Sequence, residues 1–385
     1  IDDFLLSKNP RVLYVTVSGN DTTGNGSIAA PYASVTKAMA MISGTTVIMM
    51  GPGSYAAATV SNSGTEPVDL TPATAVVLVG VKGLTTVTLS GDESGAGVYN
   101  VLKISGASGV IFARTGTGNR HAVCGLDRMI GLRDCELTNS DGSRKLTVFG
   151  RTGESAAVRG LKISGSAQSQ IELYNVWLQD CWIEAASAVN VLQWTGEAAN
   201  RISSSWIGIG TSGALRIEGL ASANDLWFDG PDVDSFGVTL ASADDVAVYR
   251  SIQGRLGCAS SASTGGVSLF VWSAAAGDVP VVLDGWDVEW TGTFAEPADG
   301  RKVAILSRFS GTKEVALRNC RLIGTCIPVF NSHPNVAIDA NRGTEDRPLT
   351  IENSYIAMTR AATTGPADVN GALLNYGRGV FRSVG

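Results

Sequence analysis

Two acidic strings carry the residue types best suited to chemistry. Asp229-Gly230-Pro231-Asp232-Val233-Asp234 returns 55 residues further on (229 to 284) as Asp284-Gly285-Trp286-Asp287-Val288-Glu289. With Val233 and Val288 pointing inward on strands, the alternation of side chains turns Asp232 with Asp234, and Asp287 with Glu289, to the outside. Same-face neighbours on a strand stand roughly 6.5–7 Å apart. That is near the roughly 6.5–9.5 Å at which inverting glycosidases hold two carboxyl groups around a water. Crowded carboxylates also raise one another's pKa, as a general acid requires. Asp232, Asp234, Asp287 and Glu289 are therefore the candidate catalytic pool. The alternative is a solvated acidic face or a weak cation site. Asp229 and Asp284 read as bend residues.

Aromatic residues supply the second candidate. Trp182, Trp206, Trp286 and Tyr355 each follow a bend residue by two, a position expected to face outward in at least Trp182 and Trp206. Outward rings on neighbouring coils would make a flat apolar strip suited to stacking on sugar rings. Loops or a neighbouring subunit covering them is the alternative. Arg250 lies on the stretch between the two acidic strings and joins the candidate binding residues.

Short strands separated by bends must position these groups. Leu132-Arg133-Asp134-Cys135-Glu136-Leu137 sets a pattern of apolar, any, Asp/Asn/Ser/Gly, small or apolar, any, apolar. It returns around Gly160, Asp180, Ser204, Asn319 and Asn353. Spacings of about 20–35 residues lie in the range of solenoid repeats. The flanking Leu/Ile and the small Cys or Ser point inward, and the bend residue bonds neighbouring backbone, stacking coil to coil as a ladder. Cys135, Cys181 and Cys320 are then small inward hydrophobes rather than redox or disulfide residues. Ahead of the coils, Tyr14-Val15-Thr16-Val17 reads as a strand, and Tyr32, Val35, Met39 and Ile42 recur at helical spacing after Pro31. A helix over 31–43 capping the open end of the solenoid is expected.

The opening Tyr14-Val15-Thr16-Val17-Ser18-Gly19-Asn20-Asp21, the Ala30-Pro31-Tyr32-Ala33-Ser34-Val35 helix start and Pro52-Gly53-Ser54-Tyr55 resemble the start of pectin-lyase-like parallel β-helix proteins. The coil string resembles the bend ladder of the same superfamily. The resemblance implies an all-β, right-handed single-stranded parallel β-helix with a short N-terminal capping helix. The expected layout is a lead-in over 1–13, cap and first coil over 14–55, coils over 56–360 and a tail or end cap over 361–385. It also implies a polysaccharide or cell-surface glycan as ligand, and a phage tailspike or similar receptor-binding fibre as setting. That setting means a homotrimer on an extracellular or virion surface, acting as a depolymerase (hydrolase ahead of lyase). The rival is a non-catalytic adhesin or spike, because fold does not determine function. The paired Asp, Gly-His-Gly and Arg-x-Lys of polygalacturonase-type members are not matched; of them only Asp244-Asp245 survives. Lyase-type members use an Arg or Lys base, for which Arg159, Lys162, Arg250, Arg318 and Arg321 are available, and imply Ca²⁺ as the one metal to consider; no other cofactor is expected.

Composition excludes other classes. A net charge of −6 argues against a general nucleic-acid binder. No apolar run approaches the roughly 18 residues of a membrane span. Six cysteines without a Cys-x-x-Cys pair argue against a zinc site. His121 and His333 are the only histidines, and the Asn20–Gly26 loop reads as turn chemistry rather than a calcium loop. The start at Ile1 without a basic-then-apolar leader reads as a fragment or processed chain.

Overall fold

A computed structural model gives the architecture. It describes residues 9–56, 75–90, 100–115, 122–139, 145–149, 156–165, 170–174, 176–185, 189–193, 200–209, 213–230, 233–240, 246–256, 268–272, 279–291, 304–308, 313–324, 327–331, 349–358, 373–375 and 381–384. The chain forms two compact units, Ile1–Glu184 and Ala185–Gly385. Each is a parallel β-helix.

In the first unit Arg11–Val15 pairs in parallel with Thr46–Met50, which pairs with Val76–Val79. A second stack runs from Gly53–Ala56 through Thr85–Ser90 and Val110–Thr115 to Glu136–Asn139 and Lys162–Gly165. Alternation explains the burial: Val87, Phe112, Leu137 and Ile163 are almost fully buried, one above the other. Each such side chain contributes roughly 1.5–3 kcal/mol on removal from water.

The second unit repeats the scheme. Asn200–Ile209, Gly213–Gly230, Ala247–Leu256, Asp287–Trp290, Arg321–Gly324 and Tyr355–Met358 form one parallel stack. Ala247–Leu256 also pairs with Val281–Asp284, which continues to Val315–Arg318, Leu349–Glu352 and Phe381–Val384. Leu373–Asn375 pairs with Ile327–Asn331 and Phe381–Val384 with Leu349–Glu352, so the stretch 361–385, expected as a tail or end cap, carries strands. At the other end the strand Arg11–Val15 crosses the expected boundary at 13.

Bends between stacked strands are left-handed. Asp134, Asp180, Ser204, Asp225, Ser251, Asn319 and Asn353 have φ between 46° and 54°, and Gly160 and Gly285 have φ of 63° and 67°. Asn, Asp and Gly tolerate this region best. The ladder between coils is made by backbone: the Asp134 N–H donates to Arg159 O (2.9 Å), Gly160 to Gln179 O (2.9 Å), Gly285 to Arg318 O (2.9 Å) and Asn319 to Glu352 O (3.0 Å). The residue after the bend turns inward and, where it carries a hydroxyl or thiol, donates back to the carbonyl before the bend. Ser205 Oγ does so to Ser203 O at 2.7 Å, Cys320 Sγ to Arg318 O at 3.2 Å and Cys181 Sγ to Gln179 O at 3.2 Å. Cys135, Cys181 and Cys320 are buried, in keeping with small inward residues.

Two bend assignments move. Asp229 lies four residues past the bend at Asp225, and Asp284 lies one before the bend at Gly285. The 55-residue offset between the acidic strings is therefore not a coil register; Asp229 stands beside Arg255, and Arg255 beside Glu289.

The N-terminal helix is shorter than expected, Val35–Ala40, with Ser34 as N-cap and Val35 and Ala38 buried. Tyr32 belongs instead to an extended segment, exchanging backbone hydrogen bonds with Tyr14 and Thr16. The Asp21 carboxylate explains the late start. It accepts from the N–H of Ala33 (2.8 Å) and Ser34 (3.1 Å) and from Ser34 Oγ (2.6 Å), holding the chain extended up to the cap. Asn20 and Asn25 bond backbone N–H groups two or three residues on, the turn chemistry expected of that loop.

Candidate functional site

The second unit brings one line of outward residues into register. Two positions past each bend stand Trp206, Trp227, Gln253, Asp287, Arg321 and Tyr355, each beside the next across one pair of parallel strands. Adjacent strands are about 4.8 Å apart, so the line forms a continuous track. Tyr355 is 61% exposed and Trp227 38%. Trp206 is half-buried, and the reason is local: a Cβ on Gly208 would lie 2.0 Å from its Cη2. The glycine lets the indole lie down along its own strand. Trp206 and Trp227 thus present neighbouring rings at one end of the track.

Charges occupy its middle. Val288 is fully buried, which turns Asp287 and Glu289 outward as the alternation requires. Two guanidiniums bracket them. Arg321 Nη1 lies 2.7 Å from Asp287 Oδ1 and its Nη2 3.3 Å from Glu289 Oε2. Arg255 Nη2 lies 3.1 Å from Asp287 Oδ2, and its Nε 3.8 Å from Glu289 Oε2. The registers make this possible: Arg255 is opposite Glu289 and Arg321 opposite Asp287. Burial works to raise the Asp287 pKa, but the hydrogen bonds from Arg255 and Arg321 outweigh it and hold the carboxyl below its ordinary value. Arg321 is correspondingly raised, chiefly by its hydrogen bond to Asp287.

That arrangement bears on the expected chemistry at Asp287 and Glu289. A general acid needs a proton to give, whereas Asp287 is held ionised. A hydrolytic water needs the space between the carboxylates, which both guanidiniums span. Asp232 lies outside the described residues. Asp234 is on the strand Val233–Leu240, which pairs with Ser268–Trp272 and so belongs to a different stack from Asp287 and Glu289.

The aromatic expectations divide. Tyr355 and Trp206 take the expected outward position. Trp182, in the first unit, is 47% exposed; its indole N–H donates to Glu184 Oε1 at 3.2 Å, and Lys162 stands beside it in register. Trp286 does not: it is 1% exposed, with its indole N–H donating to Tyr249 O at 3.0 Å. The bend is Gly285 rather than Asp284, so Trp286 follows it by one and faces the core. A one-residue slip reverses every side chain of a strand. Arg250 is exposed and stands between Asn224 and Asp284 in register. His121, His333 and the Asp244-Asp245 pair fall outside the residues whose side chains are described.

Trp227, Gln253 and Arg255 were not singled out from the sequence. A signal existed, because Ala223-Asn224-Asp225-Leu226-Trp227-Phe228 obeys the coil pattern, and Tyr249-Arg250-Ser251-Ile252-Gln253 begins as it does. Among the described residues no group of three or more His, Cys, Asp and Glu could hold a metal. No helix there is long and apolar enough to cross a membrane.

A family model described as "Protein of unknown function (DUF1565)" matches residues 17–214. No curated protein matches the chain. Among solved structures, a pectin methylesterase from carrot aligns at 12% identity, over 97% of this chain and 88% of that one, with a TM-score of 0.25. A rhamnogalacturonan lyase aligns at 13% identity, over 90% and 75%, with a TM-score of 0.19. Neither alignment transfers a residue.

Proposed function

Starting from the chain's membership of the DUF1565 family, whose description assigns no activity, we propose that it binds a polysaccharide along the outer track of its second unit. One observation carries this: Trp206 and Trp227 stand side by side at one end of a line of polar residues that Tyr355 closes at the other. Aromatic faces stack on the apolar faces of sugar rings, and amide, carboxylate and guanidinium groups between them suit hydroxyls. Strand spacing of about 4.8 Å is of the same order as one pyranose of an extended chain, so successive coils can meet successive sugars. An exposed aromatic line on a rigid sheet is also what a binding surface requires.

Binding without cleavage is the reading favoured at Asp287 and Glu289, because both are ion-paired with Arg255 and Arg321. An extracellular setting, on a virion-borne or similar homotrimeric spike, is supported by the sequence resemblance; a three-chain mass in solution is its test. Tryptophan fluorescence titrated with soluble polysaccharides tests the function itself. Quenching by at least one polymer, lost in Trp227→Ala and without release of reducing ends, is expected. Release of reducing ends that stops in Asp287→Asn would restore the hydrolase.

A further inference from the structure

Resting on that reading, we infer that the track selects neutral glycans and rejects polyuronates. A site for acidic sugars presents guanidinium or ammonium groups with free valence, since carboxylates are bound by bidentate or charge-assisted hydrogen bonds. Here the two arginines at the centre are already committed. Arg321 gives one nitrogen to Asp287 at 2.7 Å and another to Glu289 at 3.3 Å. Arg255 gives Nη2 to Asp287 at 3.1 Å, while its Nη1 donates to the Gly254 carbonyl at 3.0 Å. On its other side in register Arg255 meets Asp229, a third carboxylate.

On the neighbouring line Arg318 is likewise committed, its Nε 3.0 Å from Glu352 Oε2. A uronate laid along the track would have to displace a protein carboxylate to reach the guanidinium of Arg255 or Arg321. A neutral sugar meets no such barrier. Its hydroxyls can donate to carboxylate lone pairs left over from the ion pairs, and its ring faces find Trp227 and Tyr355. Like-charge juxtaposition is a recognised device for excluding a competing ligand.

Affinity electrophoresis or titration of the full chain would test this, with dextran and β-1,4-galactan as neutral probes and polygalacturonate and alginate as acidic ones, in buffer of low and of near-physiological salt. Retention by a neutral polymer, at least tenfold weaker in Trp227→Ala, with no retention by either polyuronate, is expected. The double variant Asp287→Asn/Glu289→Gln, which removes the two carboxylates paired with both guanidiniums, should gain retention by polygalacturonate that fades as salt rises. Melting curves of the variants would establish that they remain folded. Polyuronate binding by the wild type, equal to or tighter than neutral binding, would overturn the selectivity while leaving glycan binding in place. Retention by none of the four would overturn both.

Discussion

Arg321 Nη1 sits 2.7 Å from Asp287 Oδ1, one coil away, on the only stack that also carries Trp227 and Tyr355 among the described residues. That contact decides what the centre of the track can do. It keeps Asp287 ionised and holds two coils together at their outer surface.

A pH dependence follows from it. The folded Asp287 pKa lies below the roughly 3.9 of an unperturbed Asp. Its stabilising contribution is therefore fully present above the unfolded value and is lost as pH falls through the folded one. Thermal melts between about pH 7 and pH 2.5 should show this acid-side loss in the wild type and a smaller one in Asp287→Asn. Because the pair is half-exposed, the variant should change stability at neutral pH by no more than about 1 kcal/mol. Parallel curves would mean that the cluster contributes nothing to folding.

Trp286 and Trp227 should behave oppositely. Trp286→Ala removes a fully buried indole and its hydrogen bond to the Tyr249 carbonyl, and should cost about 3–5 kcal/mol in chemical denaturation. Trp227→Ala removes an outward ring and should stay within about 1 kcal/mol of wild type. Equal stabilities would place Trp286 on the surface.

Gly208 is predicted to matter for binding more than for folding. A valine there meets the far end of the Trp206 indole, which can swing away. Gly208→Val should therefore leave the melting temperature nearly unchanged and weaken polysaccharide quenching severalfold. Unchanged quenching would show that the flat pose of Trp206 plays no part.

Cys135, Cys181 and Cys320 should resist alkylation in the folded chain. All three are buried, and burial pushes the Cys135 thiol up to about 11, far from the thiolate that reacts. Peptide mapping after iodoacetamide treatment at pH 8 should find them unmodified until denaturant is added. Labelling in the folded state would contradict the inward ladder.

The coil pattern was legible because short polar residues at left-handed bends and inward apolar neighbours are local necessities. Asp134, Asp180 and Asn319 were identified as bends from their own hexapeptides. Face assignment was less secure wherever two turn-forming residues adjoin. Asp284-Gly285 could bend at either, and choosing the aspartate turned Trp286 outward. The ion cluster was hidden for another reason: it joins Arg255, Asp287 and Arg321 across coils whose lengths appear only once the registers are known. The helix start was misplaced because Asp21, a dozen residues upstream, claims the N–H groups of Ala33 and Ser34.

The most direct test of the central claim is a binding isotherm of wild type and Trp227→Ala against the polysaccharide giving the strongest fluorescence quenching. The account predicts saturable binding by the wild type and an affinity at least tenfold lower in a variant of unchanged stability. Equal affinity in the two proteins would contradict it.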